Sequence, residues 1–226
     1  MGSPDIKNKL TWHTETLPSE TLRALDLLAG WDWLKKSDWY LAGRIALALY
    51  AGHRQSIDLD FFTPRGTFST GPHLNYFKNT AWKTTVSEKG TIYGTLLQAK
   101  VSFISYPFFK RGDMPQWYGN VRVLTPGDIA VMKIIAISQR GRKRDFIDLF
   151  WYAQNHEPLI TVIKKLPIQY PTVAHNYHHI LESMMYFIDA EADPMPTLFF
   201  NADWKTVKAY FQKEIPKIAK ELLQLE

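Results

Sequence analysis

Polar and apolar side chains alternate over residues 57–61 (IDLDF), where three apolar residues are separated by Asp58 and Asp60. Because side chains at i and i+2 of a strand point to the same face, the pattern predicts a strand with an apolar face. On its other face the two carboxylates lie about 6–7 Å apart, the distance set by strand rise.

Two carboxylates side by side on an apolar strand repel each other, and a divalent cation is the simplest way to remove that cost. The alternative is a strand with one solvated face, on which Asp58 and Asp60 are surface acids. Aspartate is depleted in strands, which favours the metal-binding interpretation.

The chain before this strand predicts a helix, a strand and a turn. Leucine and tryptophan at helical spacing predict a helix over residues 20–36, capped by Ser19 and weakened by Gly30. Residues 39–41 then form a strand, a turn contains Gly43, and small residues over 45–51 predict a short helix.

After the acid-bearing strand, a loop and a weak helix precede several β-rich runs. β-Branched and aromatic residues predict strands over residues 81–87, 91–106 and 120–124. Thr125 and Pro126 then mark a helix start running to about Ser138, with Asp128 placed as the return partner of a capping box.

One lysine interrupts the apolar stripe of that helix. Ile129, Lys133 and Ile137 share a face at i, i+4 and i+8. Lys133 therefore either extends to the rim of the core or reaches a buried anion. The pattern leaves both alternatives open.

A basic turn, QRGRKR (139–144), joins this helix to the next, which starts near Lys143. The turn either contacts phosphates or is a solvated helix boundary, and composition favours the boundary. On the second helix, Asp145 and Asp148 share a face at i, i+3, and Arg144 can pair with Asp148 at i, i+4.

The rest of the chain is predicted to be helical, with a final amphipathic helix over residues 204–225. His175, His178 and His179 have spacing that a metal site could use, but helix-surface histidines are the favoured interpretation. The chain is predicted to be α+β, with a mixed α/β core over residues 1–155 and a C-terminal helical part over 156–226.

Composition narrows the possible partners. The 226 residues carry a formal charge of +5, which suits a polyanionic partner such as nucleic acid or nucleotide. The absence of cysteine excludes disulfides and thiolate metal sites. No apolar run is long enough to cross a membrane and no signal peptide is evident, so a cytoplasmic location is expected.

The chain resembles the nucleotidyltransferases of the AbiEii/AbiGii toxin family, part of the minimal nucleotidyltransferase superfamily. The pairing of GHRQSIDLDFF with a later KRDFIDL is far more specific than two aspartates alone. The matching segments are LAGRIALALYAGHRQSIDLDFF (41–62), AKVSFISYPF (99–108), LTPGDIAVMKIIAISQRGRKRDFIDLFW (124–151) and YFIDAEADPMP (186–196).

The resemblance implies a nucleotidyltransferase fold, a mixed sheet flanked by helices, and a role for each matching residue. Asp58 and Asp60 would bind Mg²⁺ or Mn²⁺, and Gly43 with the turn after it would form the phosphate-binding loop of an NTP site. Lys133 would contact the triphosphate, which gives a reason for its place in an apolar stripe.

Four further residues take roles from the same resemblance. Asp145 and Asp148 match the late D-x-x-D motif of the family and would be catalytic or architectural around the acceptor. Arg54 and Ser56 lie between the turn and the carboxylates and would touch phosphate.

Two positions depart from the family pattern. The turn usually reads Gly-Gly-Thr, and this chain has Gly43-Arg44-Ile45, which removes a close backbone approach and a hydroxyl. Arg44 either replaces that hydroxyl with a guanidinium contact to phosphate or obstructs the pocket. Ser102 stands where many relatives carry a third carboxylate.

The expected function is metal-dependent transfer of a nucleoside monophosphate from NTP to an acceptor, either tRNA or other RNA or a protein hydroxyl. A cognate antitoxin is implied by the resemblance alone. The alternatives are a catalytically impaired relative that binds nucleotide, RNA or a partner protein, and a metal-dependent phosphodiesterase or nuclease.

Overall fold

A computed structural model of the chain describes residues 10–223. The strands of the described chain are β1 (Tyr40–Ala42), β2 (Asp58–Thr63), β3 (Trp82–Glu88), β4 (Thr91–Leu96), β5 (Ala99–Ser105), β6 (Gln116–Tyr118) and β7 (Val121–Val123). They form one mixed sheet in the order β3-β4-β5-β2-β1-β7-β6.

Helices flank this sheet, as the sequence predicts. Two short 3₁₀ helices, Thr14–Thr16 and Asn75–Phe77, accompany them. The α-helices are α1 (Ser19–Ala29), α2 (Asp32–Lys36), α3 (Gly43–Ala51), α4 (Thr70–Leu74), α5 (Pro126–Arg140), α6 (Lys143–Asn155), α7 (Leu159–Lys164), α8 (Leu166–Gln169), α9 (Tyr177–Ser183), α10 (Ile188–Glu191) and α11 (Trp204–Leu223).

The strand with alternating polarity, β2, lies in the middle of the sheet. It pairs in parallel with β5 and antiparallel with β1. Leu59 and Phe61 are fully buried, and Phe61 stacks on Phe103 of β5 with ring centroids 5.0 Å apart. The predicted strand is therefore confirmed, and its apolar side chains anchor it while Asp58 and Asp60 point to the other face.

The helix predicted over residues 20–36 is wrong as a single element. It divides into α1 and α2, because Gly30 ends the first helix and Trp31 takes an extended conformation. Glycine is a poor helix former, so the break falls where helical propensity is lowest. The cap predicted at Ser19 is also wrong, since Pro18 is the N-cap and the Ser19 hydroxyl donates to Glu20.

The single strand predicted over residues 91–106 is wrong too, because it folds back on itself as β4 and β5. Leu97 and Gln98 form the turn with φ values of +50° and +73°. Such tight hairpin turns favour Asn-Gly or Asp-Gly, and a Leu-Gln pair gives no turn signal in the sequence.

The helix start at Thr125 is confirmed, since the Thr125 hydroxyl accepts a hydrogen bond from the Asp128 backbone N–H at 3.4 Å. The predicted reciprocal bond of a capping box, from the Thr125 backbone N–H to the Asp128 carboxylate, does not form. The Asp128 carboxylate instead accepts bonds from Gly112 N at 2.9 Å and Gln169 Nε2 at 2.7 Å, which tie a loop and α8 to this helix.

Beyond residue 156 the chain forms short helices and then α11, which packs on α6 through Phe146 and Phe211. The division of the chain at residues 155 and 156 stays a prediction, and Leu225 of the predicted last helix lies outside the described residues. His175 and His179 each bond a backbone carbonyl through Nε2. No helix within residues 10–223 is long and apolar enough to cross a membrane.

Candidate active site

A cleft of about 510 Å³ lies between α5 and the face of the sheet that carries the β2 aspartates. Residues far apart in the sequence meet there: the start of α3, the polar side of β2, the middle of β5 and one face of α5. Its polar and glycine lining includes Gly43, Arg44, Asp58, Asp60, Ser102 and Lys133.

Gly43 brings the start of α3 against the second aspartate. It has a φ of +71°, a conformation that favours glycine, and a Cβ placed there would lie 3.4 Å from Asp60 Oδ2. Gly43 is also the first residue of α3, so the N-terminus of this helix, with its free backbone N–H groups, starts next to Asp60. A helix start of this kind is a common place to bind phosphate.

Only one of the two carboxylate oxygens of Asp58 accepts a hydrogen bond within the described residues. The Arg44 Nη2 donates to Asp58 Oδ2, so Arg44 points toward the carboxylates rather than away from them. Asp58 Oδ1 is buried and has no hydrogen-bond partner among residues 10–223. A buried acceptor without a donor is unfavourable and marks a place for a ligand.

Asp60 is held by its neighbour on β5. The two strands align Asp60 with Ser102, and the Ser102 hydroxyl donates to Asp60 Oδ1 at 2.7 Å. Burial raises the pKa of Asp60 above its usual value, while the Ser102 hydrogen bond and the charge of Arg44 act in the opposite direction. Burial is the largest of these effects, so a cation bound beside Asp60 would favour its ionised form.

Lys133 reaches a buried anion, the second of its two predicted alternatives. Its Nζ lies 2.7 Å from Asp145 Oδ1 and 2.7 Å from Asp148 Oδ2. The Arg140 Nε adds a further contact to Asp145 at 3.2 Å. Lys133 thus lines the cleft, and its ammonium group is held in position by two acids of α6.

Asp148 is fully buried and carries the rest of this ion-pair network. Arg54 grips it with Nε at 2.6 Å from Oδ1 and Nη2 at 2.8 Å from Oδ2, and His53 Nε2 lies 2.9 Å from Oδ1. The predicted pair between Arg144 and Asp148 is wrong, because the carboxylate points inward, where Lys133 and Arg54 neutralise it.

Charge explains the protonation states in this network. Burial alone would raise the pKa of Asp148, but Arg54 and Lys133 outweigh it and hold the pKa well below its usual range. The same balance, with Lys133 and Arg140, lowers the pKa of Asp145. Burial also lowers the pKa of His53, so its ring is neutral beside Asp148 at pH 7.

His53 is the member of this network that sequence reasoning missed. It lies one residue before Arg54 in the polar loop, and its partner Asp148 lies 95 residues later. No local periodicity connects such distant positions.

Arg54 and Ser56 lie behind the cleft rather than in its lining. The Arg54 guanidinium is bonded to Asp148 and to the Gln55 carbonyl. Ser56 is buried, and its hydroxyl lacks a partner within the described residues. Both residues line a second cavity of about 280 Å³, which Arg44 separates from the cleft.

The donors in the cleft fit a magnesium-type ion. Protein sites for Mg²⁺ that also hold phosphates commonly supply one or two carboxylates and leave the remaining positions to phosphate and water. Asp58 and Asp60 provide two carboxylates, and Asp58 Oδ1 is an acceptor without a donor. In the described part of the chain no three histidine or acidic side chains cluster as a complete protein site.

Comparisons with known proteins give one family match. The sequence model of a family described as "Nucleotidyl transferase AbiEii toxin, Type IV TA system" matches residues 96–223. An uncharacterized protein of Aquifex aeolicus (strain VF5) is 31% identical over 189 residues, which cover 79% of this chain and 87% of that protein.

Two solved structures share the fold. A candidate nucleotidyltransferase from H. pylori superposes with a TM-score of 0.52 at 16% identity, covering 92% of this chain and 99% of its own. MenT4, a nucleotidyltransferase toxin from Mycobacterium tuberculosis H37Rv, gives 0.53 at 14% identity, covering 89% and 86%. The predicted fold, a mixed sheet flanked by helices, is confirmed by both.

Proposed function

We propose, from the premise that this chain belongs to the AbiEii family of nucleotidyl transferase toxins, that it transfers a nucleoside monophosphate from an NTP to an acceptor hydroxyl. The match of the family model to residues 96–223 confirms the resemblance that the sequence motifs indicate. The observation that carries the proposal is the placing of Asp58 and Asp60 in one cleft with the glycine start of α3. The acceptor oxygen would bond to the α-phosphorus, and pyrophosphate would leave.

Asp58 and Asp60 are the residues that would hold Mg²⁺ or Mn²⁺. When bound, the ion would supply charge neutralisation for the phosphates and polarise the reacting oxygens. Ser102 keeps Asp60 oriented through its hydroxyl. By the resemblance, Ser102 stands where many relatives carry a third carboxylate.

Lys133 would contact the triphosphate from the opposite wall. Its ammonium is held by Asp145 and Asp148 at 2.7 Å each, so it needs little reorganisation to meet an incoming anion. We assign Asp145 and Asp148 the role of positioning Lys133, because every close partner of their carboxylates is a cation or His53.

Gly43 and Arg44 would bind the phosphates at the start of α3. The Arg44 guanidinium lies beside Asp58 and lines the cleft, so it could turn from the carboxylate to a phosphate once a metal ion neutralises Asp58. An arginine so placed would do the work of the missing threonine hydroxyl.

The formal charge of +5 favours RNA over a protein as the acceptor, and tRNA is one candidate. A cognate antitoxin and a cytoplasmic location belong to the same proposal. Membership of a family described as a type IV toxin–antitoxin system supports the antitoxin.

The pairing of Arg44 with Asp58 favours a second candidate function, nucleotide binding without transfer. If Arg44 stays on Asp58, it competes with the metal ion for the carboxylate. A protein of this kind would bind NTP equally well with and without a divalent cation.

A label-transfer assay separates these candidates. The protein is incubated with Mg²⁺, each α-labelled NTP and bulk tRNA, beside an Asp58→Asn, Asp60→Asn double variant. We expect wild-type label transfer and a loss of at least about 1,000-fold in the variant, which corresponds to about 4 kcal/mol of barrier. No transfer by the wild type to any acceptor, with metal-independent NTP binding, would support the second candidate. Nucleotide release from RNA without NTP would indicate a nuclease.

A further inference from the structure

The cavity of about 280 Å³, which shares Arg44 with the cleft, is lined by an arginine that forms no ion pair within residues 10–223. Arg144 lies in the first turn of α6 and lines this cavity together with Arg44, Arg54 and Ser56. Its Nε is buried without a hydrogen-bond partner, and it makes no ion pair with any acid among residues 10–223. A cation without such compensation favours an anionic ligand.

The other cations of the cavity are already neutralised. Arg44 is paired with Asp58, and Arg54 is paired with Asp148. The acid that lines the cavity, Asp193, uses both its oxygens elsewhere, accepting from Arg142 Nη1 at 3.0 Å and from the Lys143 backbone N–H at 3.0 Å. The positive charge of Arg144 is therefore the one left to meet a ligand.

Two further features point to an anion. Ser56 is 3% exposed, and its hydroxyl has no partner in the described chain, so a donor is available in the cavity wall. Burial, and after it the charge of Arg44, lowers the pKa of the Arg144 guanidinium, and the more distant charges of Asp145 and Asp58 offset this only in part. The guanidinium stays protonated, and an anion placed beside it would relieve both costs.

The size of the cavity indicates what the anion is part of. About 280 Å³ falls just under the range of roughly 300–1,000 Å³ typical of pockets that enclose a whole small molecule. One phosphate group fits better than a nucleoside triphosphate, for which the 510 Å³ cleft offers more room. Because Arg44 lines both spaces, a phosphate in the smaller one lies next to the reaction site.

We infer that Arg144 and Ser56 bind a backbone phosphate of the acceptor RNA and so hold its reactive end toward the cleft. This inference rests on the proposed transfer to RNA. It assigns the cavity to the acceptor, whereas the resemblance linked Ser56 with the nucleotide. Arg144 is a positioning residue here, because it holds the acceptor and does not touch the reacting atoms.

The test measures binding of fluorescently labelled bulk tRNA, and separately of ATP and the other NTPs, at several salt concentrations. Arg144→Gln is compared with the wild type and with Arg23→Gln, which removes an arginine from the exposed side of α1. We expect Arg144→Gln to bind tRNA about tenfold more weakly and to lower the salt slope by about one, with NTP binding unchanged. Arg23→Gln should behave as the wild type.

A second variant and a folding check keep the result clear. Arg144→Lys retains the charge without the planar fork and should bind tRNA with intermediate affinity. Urea unfolding of both Arg144 variants establishes that they fold. In the transfer assay, Arg144→Gln should raise the KM for tRNA and leave the KM for NTP as it was.

Two results would overturn the inference while the proposed function stands: unchanged tRNA binding in a folded, label-transferring Arg144→Gln, or a loss confined to NTP binding. A loss confined to NTP binding would indicate that the cavity binds the nucleotide instead. A wild type that transfers label to protein and not to RNA would overturn both the inference and the proposed RNA acceptor. A wild type that transfers nothing but whose tRNA binding depends on Arg144 would remove the proposed function and keep the RNA site.

Discussion

The chain contains two pairs of closely spaced aspartates, and their surroundings differ. Asp145 and Asp148 on α6 are both fully buried, and cations surround their carboxylates. Asp58 and Asp60 on β2 face an open cleft, where Arg44 is the one cation in ion-pair contact within the described chain. Similar motifs thus differ in how fully nearby cations neutralise their carboxylates.

The difference distinguishes an acid pair that stabilises the fold from one that we propose binds a metal ion. A buried carboxylate that is already neutralised has no remaining affinity for a metal ion, and removing it leaves cations buried without partners. A carboxylate with an acceptor oxygen lacking a donor, such as Asp58 Oδ1, gains from an incoming cation. Loss of the first pair should therefore affect folding, and loss of the second should affect chemistry.

The largest effect on stability is expected from Asp148→Asn. The substitution leaves the charges of Arg54 and Lys133 without their shared counter-ion in the interior, and such a loss typically costs about 3–5 kcal/mol. Urea unfolding at pH 7 measures it. The matched change in the cleft, Asp58→Asn, should alter the free energy of unfolding by less than about 1 kcal/mol. Equal losses of unfolding free energy in Asp148→Asn and Asp58→Asn would show that the two acid pairs do not differ in their contribution to stability.

Acid should unfold the protein through the same buried pair. The folded pKa values of Asp145 and Asp148 lie below their usual values, so each stabilises the fold above the unfolded pKa, near 3.9. That stability is lost as the pH falls through the lower folded pKa values. Urea unfolding from pH 7 to pH 3 should show a steep decline below about pH 4, and the decline should be smaller in Asp145→Asn.

A smaller effect is expected from Arg44→Gln, which frees Asp58 from its cation. Metal binding without nucleotide should strengthen about fivefold, close to 1 kcal/mol, whereas NTP binding should weaken because a phosphate contact is lost. Calorimetric titration with Mn²⁺ and then with NTP measures both. Arg65→Gln, which breaks the exposed pair with Asp38, serves as control. Weaker metal binding in Arg44→Gln would show that Arg44 does not compete for Asp58.

Local sequence patterns predicted the positions of Asp58, Asp60 and Lys133, the part of the candidate site that depends on neighbouring residues. Alternation placed Asp58 and Asp60 on one face of a strand because a strand has a period of two. The Thr125 cap located α5, and helical spacing placed Lys133 in an apolar stripe, which pointed to a buried anion as one alternative. Each of these depends on residues within a few positions of one another.

The remaining half depends on packing between distant segments. Arg54 meets Asp148 only because the loop after α3 packs against α6, 94 residues later. The wrong pair of Arg144 with Asp148 came from helical spacing alone, which cannot show that Lys133 and Arg54 occupy that carboxylate first. The Leu97–Gln98 turn was missed for a related reason, because its backbone conformation is decided by the pairing of β4 and β5 rather than by typical turn residues.

The most direct test of the account is a calorimetric titration of the Asp58→Asn, Asp60→Asn variant with Mn²⁺. Urea unfolding is followed in parallel, and Asp38→Asn, at an exposed acid, is the control. We predict that metal affinity falls at least tenfold in the cleft variant, that its free energy of unfolding changes by less than about 1 kcal/mol, and that the control matches the wild type. Unchanged Mn²⁺ affinity in a folded cleft variant would contradict it.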